Sequence, residues 1–132
     1  MMITLAFCIL SLNPTISKSQ QRDLVRTITA ICMEESSGGR DKRDGDDGRA
    51  VGPLQIHVIV ITDVNRKYGT TYTPADRRDL KASVEICVRY LLMWAPNGTP
   101  ERWARIWNGG PRGDKKDSTR AYWGRVRKYL LP

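Results

Sequence analysis

A chain of 132 residues, 40% hydrophobic and 27% charged, is long enough for one domain with its own core. Its net charge of +8 favours polyanions (nucleic acid, anionic lipid or a bacterial wall), although a merely soluble basic surface accounts for the charge equally well. Three cysteines exclude a disulfide framework, and no internal repeat or interdomain linker divides the chain.

The chain opens with an apolar run from Ile3 to Leu12. It is too short to span a bilayer and matches the apolar part of a secretory signal. No Lys or Arg precedes it and no clean small-residue cleavage site follows, so a buried N-terminal helix is the alternative. Residues 1–20 are therefore expected to be a signal peptide or an N-terminal extension, and residues 21–132 the functional domain.

Residues 20–35 place Leu24, Ile28, Ile31 and Cys32 at helical spacing. At about 100° per residue, Glu35 falls within ~20° of Leu24 and Ile28, whereas Glu34 points ~80–120° away. One glutamate is thus aimed at the apolar side and the other at solvent. Gly38-Gly39 is the expected helix end. Residues 38–50 form a charged, glycine-rich loop with a short hairpin expected around Asp46-Asp47-Gly48. Its aspartates lack the spacing of a calcium loop, so no metal is expected.

Residues 54–68 combine β-branched content with no period of two, and a helix is expected. His57, the one histidine, reads as a surface residue rather than a ligand. Thr73-Pro74-Ala75-Asp76 is a helix start. The stripe Leu80, Val84, Cys87, Val88, Leu91 and Trp94 predicts a buried face that Pro96-Asn97-Gly98 ends. Cys32 and Cys87 lie on apolar stripes, as two core thiols or as a pair if those stripes face each other. Thr99-Pro100-Glu101 starts a helix holding Trp103, Ile106 and Trp107, and Gly109 to Lys116 forms a loop. Asp117 or Ser118 is expected to cap a last helix with Tyr122, Val126, Tyr129 and Leu130 on one side.

Four stretches carry chemistry in a fixed order: ICMEESSGG (31–39), VGPLQI (51–56), ARIWNGGPRG (104–113) and TRAYWGRV (119–126). Aromatic residues suit the faces of sugar rings, Asn108 can donate and accept at once, and glycines admit close backbone approach. In this order the stretches resemble the lysozyme-like superfamily. The nearest likeness is to the invertebrate-type (destabilase) lysozymes, with the soluble lytic transglycosylases more distant. The scarcity of cysteine departs from the cysteine-rich invertebrate proteins.

The resemblance implies a mainly α (α+β lysozyme-like) fold: a helical bundle around a cleft, with a small hairpin or loop lobe. It implies a muramidase that cuts the β-1,4 bond between N-acetylmuramic acid and N-acetylglucosamine. Glu35, in an E-S-G-like signature, stands where the family has its general acid. The second carboxylate falls on the loop aspartates, with Asp46 the first choice and Asp47 the second, Asp44 also being present. The spacing to Gly52 is one residue shorter than the family pattern. Ser36, Gln55, Asn108, Gly109 and Tyr122 take the substrate-binding positions.

Peptidoglycan or a related amino-sugar polymer is then the partner. No cofactor, nucleic acid or stable membrane anchor is expected, and the protein is read as a secreted or periplasmic monomer. Four alternatives stay open. Without a second carboxylate the enzyme is a lytic transglycosylase giving 1,6-anhydro products. The late cluster of Arg and Lys among tryptophans and tyrosines also fits a basic nucleic-acid-binding module, in which the glutamate signature has no task. A relative can keep the fold without turnover. The isopeptidase activity of some destabilase-type proteins needs a nucleophile and base that His57 alone does not establish.

Overall fold

The computed structural model describes residues 2–13 and 15–130, with side chains from Leu5 onward. Met1, Pro14, Leu131 and Pro132, which fall in the expected segments 1–20 and 21–132, lie outside the described residues. Among the described residues six α-helices carry the fold: α1 Met2–Leu12, α2 Lys18–Ser36, α3 Val58–Tyr68, α4 Leu80–Trp94, α5 Pro100–Gly109 and α6 Arg120–Val126. Among the described residues β-pairing is confined to two isolated bridges, Gly45 with Ala50 and Val51 with Ile56. The architecture is the expected mainly α bundle with a small loop lobe.

Helix α2 is the axis, with α1, α4, α5 and α6 packed around it. Ser17 caps its start, its hydroxyl accepting from the Gln20 N–H at 3.1 Å. Leu24, Ile28, Ile31 and Cys32 are fully buried, as their phase requires. Each large aliphatic side chain buried this way contributes roughly 1.5–3 kcal/mol before chain entropy is counted. The helix ends at Ser37, one residue before the expected glycine. Ser37 is left-handed (φ 52) and its N–H bonds the Met33 carbonyl, while the Gly38 N–H bonds that of Cys32.

The apolar N-terminal run is α1. Leu5, Cys8 and Ile9 are buried in the core, and α1 packs on α2 and α4. Phe7 and Leu10 lie on its exposed side. All three cysteines are free and buried, so Cys32 and Cys87 are core thiols and not a pair.

Two expected helices are corrected. The capping box at Thr73 and Asp76 forms, but it opens only a 3-10 turn, Pro74–Arg78. Asp79 then turns extended, and its carboxylate accepts from the Ala82 N–H at 2.8 Å to start α4 afresh. This break frees Arg77 to reach back to the loop lobe, where its guanidinium donates to the carbonyls of Arg49 and Ile56. Within α4 the expected stripe is buried from Val84 to Leu91, but Leu80 and Trp94 at its two ends are exposed, Trp94 at 41%. The last helix is not capped by Asp117 or Ser118. A 3-10 turn, Asp117–Thr119, leads into α6, and Asp117 pairs with Arg120. Tyr122 and Val126 are buried as read, whereas Tyr129 is exposed.

Candidate active site

Glu35 sits in the last turn of α2, half-buried on the side its helical phase predicts. Helix α6 crosses that end of α2 and brings two side chains to two adjacent glutamates. The hydroxyl of Tyr122, a residue only 3% exposed, donates to Glu35 Oε1 at 2.8 Å. One turn later the Arg125 guanidinium donates to Glu34 Oε1 at 2.6 Å. Glu34, its side chain 19% exposed rather than open to solvent, is therefore held as an ion pair, whereas Glu35 has a neutral donor.

The surroundings favour the protonated form of Glu35. Burial raises its pKa from 4.5 to about 7, against the opposing hydrogen bond from Tyr122. The neighbouring Glu34 charge raises it further and Arg125 lowers it. Burial first, and then the Glu35 charge, push the Tyr122 hydroxyl far above the usual phenol range, so it stays a donor. Burial likewise raises the thiols of Cys32 and Cys87, both of which feel the Glu35 charge. The acid thus stands over an uncharged floor.

The loop lobe lines the same cavity as Glu35. Asp44 is engaged by Arg78 at 2.9 Å. Asp46 and Asp47 are successive left-handed residues (φ 50 and 56) closing the turn between Gly45 and Ala50, a geometry Asp tolerates better than most residues. Of the three, Asp46 lines a cavity of about 340 Å3 together with Glu35, Gly45, Ala50, Gln55, His57, Trp107 and Asn108. One Asp46 oxygen accepts from Arg49 at 2.9 Å and the other lies 3.3 Å from His57 Nε2. Gly52 joins the lobe to the bundle. Its φ of +86 and a Cβ position 1.7 Å from the Arg77 carbonyl oxygen leave room for glycine alone.

Gln55 lines the cavity, but its amide also closes the lobe. Oε1 accepts from the Gly45 N–H at 2.9 Å, and Nε2 donates to the carbonyls of Gly52 and Arg43 at 3.0 and 3.3 Å. One acceptor lone pair of the amide remains for a ligand. Trp107 and Asn108 form the far wall, with the Trp107 indole N–H anchored on the Leu54 carbonyl at 3.1 Å and its ring edge-on to Tyr90.

Two of the expected substrate-binding residues make internal contacts that hold the frame. Ser36 is 1% exposed. Its hydroxyl donates to the Pro53 carbonyl at 2.7 Å and accepts from the Gly39 N–H at 2.9 Å, so it ties the Gly-Pro turn to the end of α2. Gly109 packs on Thr119, whose methyl lies 2.5 Å from where a Cβ would stand. That contact between the end of α5 and the turn before α6 is enough to require a glycine there. His57 is the residue that sequence reasoning set aside. Its signal was position, since it stands directly after the Gly-Pro-x-Gln-Ile turn and before α3, where the chain leaves the lobe.

The raised pKa of Glu35 has a stability consequence that can be measured apart from any activity. Below pH 4.5 the carboxyl is protonated in both folded and unfolded chains and carries no penalty. Between pH 4.5 and about 7 the unfolded chain ionises first and the folded state loses stability. Above that the loss levels off at up to about 3 kcal/mol, at 1.36 kcal/mol per unit. Chemical denaturation should therefore find Glu35→Gln more stable than the parent at pH 8 and about equal at pH 4. Equal differences at both pH values would contradict the assigned ionisation.

No protein-family model matches the chain. A lysozyme of Ostrea edulis is 33% identical over 107 residues, which cover 76% of this chain and 76% of that protein. Among solved structures, the crystal structure of Aeromonas hydrophila PliI in complex with Meretrix lusoria lysozyme is similar. The match has a TM-score of 0.65 at 30% identity and covers 78% of this chain and 87% of the matched one. Identity at this level over three quarters of both sequences, on a helical bundle that closes a cavity around Glu35, places the chain in the lysozyme family of invertebrate type.

Proposed function

We propose that the protein is a muramidase, cleaving the β-1,4 bond between N-acetylmuramic acid and N-acetylglucosamine of peptidoglycan with Glu35 as general acid. The observation that carries this reading is a carboxyl with a pKa of about 7 that lines the same cavity as a loop carboxylate. Protonation of the leaving oxygen needs such a group, and desolvation supplies it here. Tyr122 holds the acid at one oxygen and leaves the other for the glycosidic bond. Asp46 stabilises the oxocarbenium-like centre or attacks it, Asn108 and Gln55 bind sugar polar groups, and Trp107 offers a ring face.

Mass spectrometry of products from purified peptidoglycan tests the reading. New reducing ends are expected. Products ending in 1,6-anhydro sugars would replace hydrolysis by intramolecular attack, and no soluble product would overturn both. One observation favours the transglycosylase as second reading: Arg49 and His57 already engage both Asp46 oxygens, leaving Glu35 with Tyr122 as the unpaired acid. On this reading the enzyme works outside the cytoplasm, where its substrate lies. A protein inhibitor of the PliI kind, which holds the lysozyme in the matched crystal structure, is a further candidate partner.

The charge of +8 predicts how the enzyme meets its substrate. Cleavage of whole bacterial walls should weaken steeply between low salt and ~0.1 M, where charges are screened beyond about 10 Å. Cleavage of a short neutral oligosaccharide should not. Parallel turbidity and product-release assays measure the two, and equal salt dependence would refute electrostatic concentration on the wall.

A further inference from the structure

A second depression, of about 460 Å3, is lined by Asp63, Arg66 and Lys67 of α3 and by Met93 and Trp94 of α4. Trp94 is the residue that the sequence pattern assigned to the core and that the fold leaves 41% exposed. It is not isolated. Its ring stands edge-on to Tyr90 with centroids 6.5 Å apart, and Tyr90 stands edge-on to Trp107, the wall of the catalytic cavity, at 5.8 Å. Tyr90 is itself buried, and burial, with the charge of Asp63, pushes its hydroxyl up to about 12. The three rings thus form a continuous edge-to-face row that links the cavity wall to the depression.

Helix α3 follows the same course. It leaves the cavity at His57 and, rising about 1.5 Å per residue, brings Asp63 roughly 9 Å and Lys67 roughly 15 Å along. Arg66 and Lys67 are exposed, and none of the ion pairs among the described residues uses them. An open tryptophan edge, a carboxylate that accepts from hydroxyl or amide groups, and two unpaired cations are the makings of a site for an anionic sugar polymer.

We propose that this depression is a remote subsite for the same glycan strand that crosses the catalytic cavity. In it Trp94 packs on a sugar ring, Asp63 accepts from its hydroxyl or acetamido group, and Arg66 and Lys67 pair with carboxylates of the muramyl side group and its peptide. The proposal rests on the muramidase reading for its substrate. It explains why an exposed tryptophan ends α4 beside two cations, and it makes the enzyme favour long strands over short ones.

The test separates binding from cutting. In the Glu35→Gln background, Trp94→Ala should weaken co-sedimentation with purified peptidoglycan by about 10-fold or more, the scale of a central aromatic anchor. Trp94→Phe should restore most of it. In the active enzyme, Trp94→Ala should lower turnover of a short chito-oligosaccharide far less than turnover of the polymer. Arg66→Gln with Lys67→Gln should weaken retention on peptidoglycan but not on insoluble chitin, which lacks the carboxylates. Undiminished retention by Trp94→Ala would overturn the subsite. So would equal losses on short and long substrates, since the effect would then run through Tyr90 and Trp107 into the catalytic cavity. Failure of the parent enzyme to bind or cut peptidoglycan would instead overturn the muramidase reading, and the peptidoglycan subsite with it.

Discussion

Replacing Glu35 by glutamine is expected to lower turnover of peptidoglycan by about 10²–10⁴-fold, the range for loss of a positioned general acid. The glutamine keeps the shape of the side chain and can still accept from the Tyr122 hydroxyl, so the fold survives while the proton is gone. Glu34→Gln is the matched control. Glu34 is occupied by Arg125 and points away from the apolar side, so most activity should remain. Its loss should still be felt in the pH profile. The Glu34 charge raises the Glu35 pKa and Arg125 lowers it, so removing the first and freeing the second moves the alkaline limb to lower pH. In the parent that limb should fall near pH 7, because the acid works only while protonated. Rate assays across pH on both variants decide the assignment. Equal losses at Glu34 and Glu35, or a parent rate that keeps rising above pH 8, would refute it.

What was legible in the sequence was what local periodicity encodes. The phase of α2 distinguished Glu35 from Glu34 because a helix that buries Leu24 and Ile28 must turn the residue seven beyond Ile28 to the same side. The caps at Thr99 and Thr73 were readable because they are local chemistry. The pieces that escaped depend on distant chain. The Thr73 helix stops after one turn because Asp79 caps a new start, and the break lets Arg77 reach back to Arg49 and Ile56. Ser36 and Gly109 stand in motif positions, yet Pro53 and Thr119 hold them, contacts that no spacing rule exposes. In the sequence His57 is a lone histidine, and its meeting with Asp46 exists only once the lobe is folded. Trp94 kept the period of the α4 stripe, but the stripe outruns the core by one turn.

Asp46→Asn is expected to cost about 10²–10³-fold in turnover, the scale of losing one electrostatic contact to the transition state. The substitution is nearly isosteric, and asparagine tolerates the left-handed backbone that Asp46 adopts (φ 50). An asparagine oxygen can still accept from Arg49, so the turn between Gly45 and Ala50 should hold. What disappears is the negative charge facing the cavity that Glu35 shares. Asp47→Asn is the control. Asp47 has the same backbone handedness (φ 56) and, unlike Asp46, is not part of the cavity lining, so its replacement should cost little. Thermal unfolding of both variants separates turn damage from lost chemistry. The comparison also divides the two reaction courses. A hydrolase needs the second carboxylate, about 5–5.5 Å from the acid if configuration is retained and roughly 6.5–9.5 Å if it is inverted. A transglycosylase needs only one acid and base, with the sugar's own hydroxyl as nucleophile. Should Asp46→Asn keep full rate while products carry 1,6-anhydro ends, Glu35 acts alone with Tyr122, and Asp46 serves only to hold Arg49 and His57 at the mouth of the lobe. Should it lose rate while the residual products keep reducing ends, the charge of Asp46 belongs to the hydrolytic step.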